Sequence, residues 1–379
     1  MPALYSETLL LDKVDSNELQ QNLDMWAKQF PQGGILALVA EKNSKDIEQL
    51  QKYFNEISYP LVGAVFPQII LGAELKSEGI LLVHIEKMHD YYISQVPGSS
   101  SDTESRVIDI AECLDIDIDI DEQALFMIFD SMIPNIATII DDIYLQIGDT
   151  VNYMGVNAGS ETFQPINCIF DNHQFIGHAI LTMLIPHHTG AIVEHGYTKP
   201  NTTIFATSAT GNCINSIDWR PAFEVYKELV KIHYEVEVNE ENFYENAVHF
   251  PFGIMRMDGE MLVRIPVALN DDGSIFCVGE VPENSVLTLL KAVAPDSSKT
   301  IDTIVGNIKK QPETTILTFY CAGRRMHLGN ASLYELALLT KKLKEKNIIG
   351  ALSLGEIGGS KQGGYPLFHN AALVNIPWK

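Results

Sequence analysis

The sequence predicts an α+β protein of two packed halves, residues 1–215 and 216–379, each a mixed β-sheet with helices outside it. Three observations lead there. The 379 residues exceed the roughly 150 expected of one domain. Amphipathic helical stretches alternate with short apolar runs toward both ends of the chain, whereas strands dominate after residue 216. No Pro/Gly/Ser-rich linker occupies 212–220, so the halves should pack as one unit.

A helix is expected over 16–27, with Leu19, Leu23 and Trp26 at helical spacing and Pro31 to Gly34 stopping it. A strand over 35–39, a helix over 45–57 behind Ser44, and a strand over 61–66 make a βαβ unit. Another strand covers 79–85. Residues 97–105, Pro-Gly-Ser-Ser-Ser-Asp-Thr-Glu-Ser, read as a loop and the first site of proteolysis. The alternation Asp115-Ile-Asp-Ile-Asp-Ile-Asp121 has the spacing of a calcium loop without its glycine or its final glutamate, and it fits an extended segment equally well. A strand over 124–129 and a helix over 134–145 follow. A meander then runs through 166–170, Phe175 and 179–185, turning at Asp171-Asn172. Beyond the boundary come a helix over 220–232, with Pro221 in its first turn, and strands over 249–255, 261–267, 275–278 and 286–291. The tail alternates again: helix 298–309, strand 315–320, helix 332–345, strand 348–354 and a last strand over 367–376. No short-period repeat is visible.

The composition narrows the function. Lys plus Arg is 26 against 49 Asp plus Glu, a formal charge of −23 that repels phosphate backbones and anionic membrane surfaces alike. The N-terminus lacks a secretory leader and no apolar run approaches the ~20 residues of a spanning helix, so a soluble, cytoplasmic protein is expected. The five cysteines form no C-x-x-C pair. Phosphate-loop, G-x-S-x-G and H-E-x-x-H patterns are absent; the glycine-rich stretch 355–364 lacks G-K-[ST] order and reads as a surface turn. His187, His188 and His195 read as loop histidines or, less simply, as metal ligands.

The C-terminal third holds the chemistry. Cys321 and Arg324 follow a strand, Glu356 follows the next, and His369 and Asn370 lie on the last. Side chains at strand ends can converge in a polar pocket. Equally, Arg324 and Glu356 could form a structural ion pair beside a satisfied core histidine.

Cys321-Ala-Gly-Arg324, Ser353-Leu-Gly-Glu-Ile357, Phe368-His-Asn370, Met261-Leu-Val-Arg264 and Gly279-Glu-Val-Pro282 resemble the C-terminal half of FIST sensory domains. Gly155-Val-Asn-Ala-Gly159, the turn around 170–177 and Pro221-Ala-Phe-Glu-Val-Tyr226 resemble the N-terminal half and the join. One departure stands out: Gly63-Ala-Val-Phe-Pro-Gln68 occupies the place of the family's G-C-[ST]-x-G-E turn, making any pocket there bulkier and less polar. The resemblance implies a small-ligand sensor. Since the chain stops three residues after Ile376, the expected signal passes in trans to a separate histidine kinase or diguanylate cyclase. It also implies, in its most specific form, a haem-containing nitric-oxide sensor, with His188 and His369 as axial candidates. The expected ligand-binding residues are Cys321, Arg324, Glu356, His369 and Asn370, with Arg324 as a donor fork oriented by Glu356. Two rivals remain: an enzyme with Cys321 as nucleophile, His369 as base and Glu356 as orienter, and a protein-interaction scaffold.

Overall fold

The computed structural model describes residues 8–378 apart from 15–16, 90, 97–99, 115, 117–121, 199–201, 257–260, 292–293, 295–296 and 360–363. Mixed sheets with helices on their outer faces form two packed halves, so the chain is α+β. Among the described residues the strands make four sheets.

Three of these sheets are built on one plan. In the first, the apolar strands Gly34–Ala40 and Leu61–Phe66 run parallel, joined by the helix Ile47–Glu56, and Ile80–Ile85 returns antiparallel beside the first of them. In the second, Ala124–Asp130 and Asn152–Ala158 are joined by Ile136–Ile147 and flanked by Ala179–Ile185. In the third, Thr315–Cys321 and Asn347–Ser353 are joined by Ala322–Leu328 and Ala331–Lys342 and flanked by Leu373–Trp378. Both strands of each parallel pair are buried over nearly their whole length, as expected when layers cover both sheet faces. An edge strand and a helix precede each set: Thr8–Leu11 and Asn17–Gln29, Tyr91–Gln95 and Ser100–Cys113, Ile192–Glu194 and Lys299–Ile308.

The three repeats are interlocked by exchange of hairpins. The hairpin of the first, Ile69–Leu71 with Glu74–Lys76, adds to the third sheet beside Asn347–Ser353. That of the second, Ile169–Asp171 with Phe175–Ile176, adds to the first sheet beside Leu61–Phe66. That of the third, Glu356–Gly359 with Pro366–His369, adds to the second sheet beside Asn152–Ala158. The exchange closes a ring, and its register repeats. Ile69, Ile169 and Glu356 face Ala351, Ala64 and Val156, each the residue after a glycine. Those glycines, Gly350, Gly63 and Gly155, face Thr318, Ala37 and Met127, and a Cβ on any of them would collide with the carbonyl oxygen of that residue. At the hub, Val65 N–H donates to Cys168 O, Asn157 N–H to Gly355 O and Leu352 N–H to Gln68 O, at 2.8, 2.9 and 2.8 Å.

The fourth sheet is antiparallel and lies wholly within residues 204–289, with the helices Ala222–Tyr234 and Phe243–Ala247. It interrupts the third repeat between its edge strand and its first helix. Its own core includes Phe223, Tyr226, Phe252 and Leu287.

Several expectations change. Residues 100–105 of the expected loop begin a helix, Ser100–Cys113, because Val107 and Ile110 bury toward Ile139 and Ile143 of the neighbouring helix. Asp115–Asp121 lies outside the described residues except for Ile116. The expected last strand is two strands in different sheets, broken at Asn370–Ala372 where Ala371 has φ of +56°. Glu356–Gly359, at the start of the supposed surface turn, is a largely buried strand. Among the described residues no helix is long and apolar enough to cross a membrane.

Candidate functional site

Where the second and third repeats meet, the inserted antiparallel unit covers the ends of the parallel strands and leaves a cleft. It holds two adjoining cavities of about 590 and 160 Å³ that share Phe163, Tyr244, Val267, Val278 and Leu354 as walls. The smaller is floored by Cys321, Gly323 and Asn370. The larger is lined by Ser131, Asn157, Gly279 and Phe368. Phe163 and Tyr244 are 45% and 53% exposed, placing aromatic surface at the mouth. Beside them Arg325 pairs with Glu161 at 2.6 Å and donates to Gln68 Oε1, joining all three repeats.

Three polar atoms of this cleft have no hydrogen-bond partner: Ser131 Oγ, Asn157 Oδ1 and Asn370 Oδ1. Asn157 and Asn370 are 2% and 1% exposed. A buried acceptor left unpaired costs roughly 1–3 kcal/mol, so such atoms are uncommon in a finished core. Asn370 donates through Nδ2 to His369 O, which leaves its oxygen buried and without a partner. Asn157 takes the register place held by Val65 and Leu352 in the other repeats, so an apolar side chain fits the hub there. Gly355 is held bare by the Phe368 ring and Asn157 Nδ2, which a Cβ would meet at 2.6 and 2.8 Å.

The expected site residues divide. Cys321 and Asn370 line the cleft. Glu356 lies directly behind Cys321, wholly buried, accepting from Ser353 Oγ at 2.6 Å and from Ala372 N–H at 3.4 Å. Burial pushes its carboxyl up to about 8, against smaller opposing effects of Ser353, Ala372, Cys321 and Arg324. The same burial, with the Glu356 carboxyl adjacent, pushes the Cys321 thiol up.

Arg324 does not present a fork to the cleft, and its partner is not Glu356. Its Nε and Nη2 grip Glu335 at 2.9 and 2.7 Å, Nη1 donates to His195 O and Ala371 O, and Nη2 also reaches Thr300 Oγ1. All five donors are occupied. Tyr320 O–H completes the cluster on Glu335 at 2.5 Å. Arg324 therefore locks the third repeat from behind.

His369 is buried, with Nε2 on Gly358 O at 3.3 Å and Nδ1 unpartnered; burial, reinforced by His195 and Arg264, lowers it to about 3. It makes no hydrogen bond to Cys321, whose sulfur instead accepts Ala371 N–H at 3.1 Å. In the second repeat Asp130 Oδ2 accepts His178 N–H in the same register place. The sulfur thus serves a turn, and the geometry does not assemble a thiolate–imidazole pair.

His188 is placed wrongly for a haem ligand. Its Nε2 lies 2.7 Å from Pro377 O and its Nδ1 accepts Gly190 N–H at 2.9 Å, so both ring nitrogens are committed. Neither His188 nor His369 lines the cleft, and among the described residues no histidine does. These residues do not fit an axial haem ligand set.

Other cleft residues carry no motif of their own. Ser131, Glu161, Phe163 and Tyr244 lie on loops or a short helix that only the fold brings together. Asn157, Gly279, Leu354 and Phe368, by contrast, fall within the family-like stretches 155–159, 279–282, 353–357 and 368–370. Glu280, from the inserted unit, accepts Ala137 N–H and Thr138 N–H, capping the helix Ile136–Ile147 across the cleft. Arg264, wholly buried, donates to Glu280 O and Phe368 O and ties the same two bodies.

Comparison with known families agrees with this architecture. The FIST N domain matches residues 35–220 and the FIST C domain residues 222–359. No curated protein matches the chain. FIST domains are sensory domains of signal transduction rather than catalytic ones. Since the two matches span most of its length, the chain belongs to the FIST family.

Proposed function

We propose that the cleft between the repeat body and the inserted unit binds a small molecule presenting N–H or O–H donors on a partly apolar frame. The observation that carries this reading is the set of unpaired acceptors, Ser131 Oγ, Asn157 Oδ1 and Asn370 Oδ1, among largely apolar walls. Each of these atoms is itself buried, so a ligand's donors would reach them as the walls part around it, while Val267, Val278 and Leu354 would bury its frame. A bound molecule would touch both bodies at once and so favour one packing of the inserted unit over others. In this reading that change is relayed to a separate signalling protein, a histidine kinase or a diguanylate cyclase. This reading does not rest on haem, since no imidazole among the described residues lines the cleft.

Thermal melting tests the reading. Amides, hydroxylated amines and nucleobases are screened for a raised midpoint in the wild-type chain and in Asn157→Val and Asn370→Leu. A binder at 100 times its Kd stabilises by about 2.7 kcal/mol. At least one compound should raise the wild-type midpoint by a few degrees and lose that effect in both variants. Silence across all three classes, or a shift that survives in the variants, would overturn the proposal.

A further inference from the structure

His249 and His327 face one another across the joint between the inserted unit and the repeat body. His249 follows the short helix Phe243–Ala247, and His327 lies in the helix Ala322–Leu328 that leads from Cys321. Their Nδ1 atoms are 2.6 Å apart, with ring centroids at 4.9 Å and planes at 65°. Both rings are only partly exposed. Each has a neighbour in the wall of the smaller cavity: Val248 on one side, Met326 on the other. The pair therefore sits at the back of the cleft, on the contact that opening the inserted unit would have to break.

We propose that this pair is a binding site for a late first-row divalent cation, Zn²⁺ above all, that clamps the inserted unit to the repeat body. Two imidazole nitrogens can approach this closely only if one carries a proton and the other accepts it. A metal ion replaces that shared proton: the donor imidazole moves its proton to Nε2, and both Nδ1 lone pairs then point at the ion. Imidazole suits zinc, copper and nickel rather than calcium or magnesium. Zn–N bonds of about 2.0–2.1 Å at a tetrahedral angle set the two nitrogens roughly 3.3 Å apart, so the rings need separate by less than about 1 Å. Among the described residues no third His, Cys, Asp or Glu completes a ligand cluster, so water fills the remaining positions. The formal charge of −23 draws cations toward the surface.

The site is independent of which small molecule the cleft takes. The test measures Zn²⁺ affinity of the full-length chain by competition with a chromophoric chelator, beside His249→Gln and His327→Gln, with circular dichroism confirming that each variant is folded. One equivalent should bind the wild type, and each substitution should weaken that site at least tenfold. Zn²⁺ should also slow hydrogen exchange in both 243–250 and 322–328. Absence of a stoichiometric site, equal binding by the variants, or unchanged exchange in these two segments would overturn the proposal.

Discussion

Glu356 holds an acid where the other two repeats place Ile69 and Ile169. Because burial raises its carboxyl from 4.5 to about 8, the folded protein keeps a proton that the unfolded chain releases between those values. Its effect on stability is therefore fully favourable below about pH 4.5, declines as pH rises, and levels off above about 8. Glu356→Gln removes this term. The variant should gain stability over wild type across that window, on the order of a few kcal/mol, in urea unfolding at several pH values. A difference that is flat with pH would contradict the buried acid. His84 and His195, lowered to about 4 by burial, act in the opposite sense: they are neutral when folded, and stability falls as pH drops below about 6.5. Cys321 is 3% exposed with a raised thiol, so iodoacetamide should modify it far more slowly in the native protein than in urea. Rapid native labelling, mapped by peptide mass spectrometry, would revive the nucleophile. The sequence marks Arg324 through its place after a strand. Nothing in spacing, however, distinguishes Glu335 from Glu356 as its partner, since that choice depends on how a later helix packs.

At the scale of elements, each parallel pair needs a glycine where a Cβ would meet the partner strand's carbonyl oxygen. Gly350→Ala would drive a methyl into Thr318 O, backbone that cannot rotate away. The loss should be about 3 kcal/mol or more, with Gly63→Ala and Gly155→Ala comparable, read from denaturant midpoints. A variant as stable as wild type would show that the strands are not so closely packed. The strong periodic elements are legible in the chain: Leu19, Leu23 and Trp26 give the first helix, and 35–39 with 61–66 give the βαβ unit. Hairpin destinations are not. Nothing local in Ile69–Leu71 says that it pairs with Asn347–Ser353, some 280 residues on by the numbering. The break at Ala371 is hidden for a related reason: both flanking segments are apolar and β-like, so they read as one strand.

Across the whole molecule, the threefold plan escapes the sequence because its period is long, its matches are a few residues each, and its third copy is interrupted by the antiparallel unit. The plan also constrains how the chain comes apart. The second sheet takes two strands from beyond residue 350, and the third takes three from before residue 200. Residues 1–215 expressed alone would expose those pairing edges. They should aggregate or remain partly unfolded; a monomeric fragment melting cooperatively would show that the exchange is dispensable. The cleft was only partly legible for the same reason. Cys321 and Asn370 lie in recognisable stretches, but their opposing walls come from another repeat and from the insertion.

The central claim is that Asn157 keeps an unpaired acceptor in the cleft for a ligand, at a cost to the empty protein. Its counterparts Val65 and Leu352 name the substitution that tests it. Thermal melting of ligand-free wild type and Asn157→Val compares them directly. Removing an unsatisfied buried amide worth about 1–3 kcal/mol should raise the midpoint by roughly 2–4 °C or more. A variant that melts below wild type would mean that Asn157 serves the fold itself, and would contradict the account.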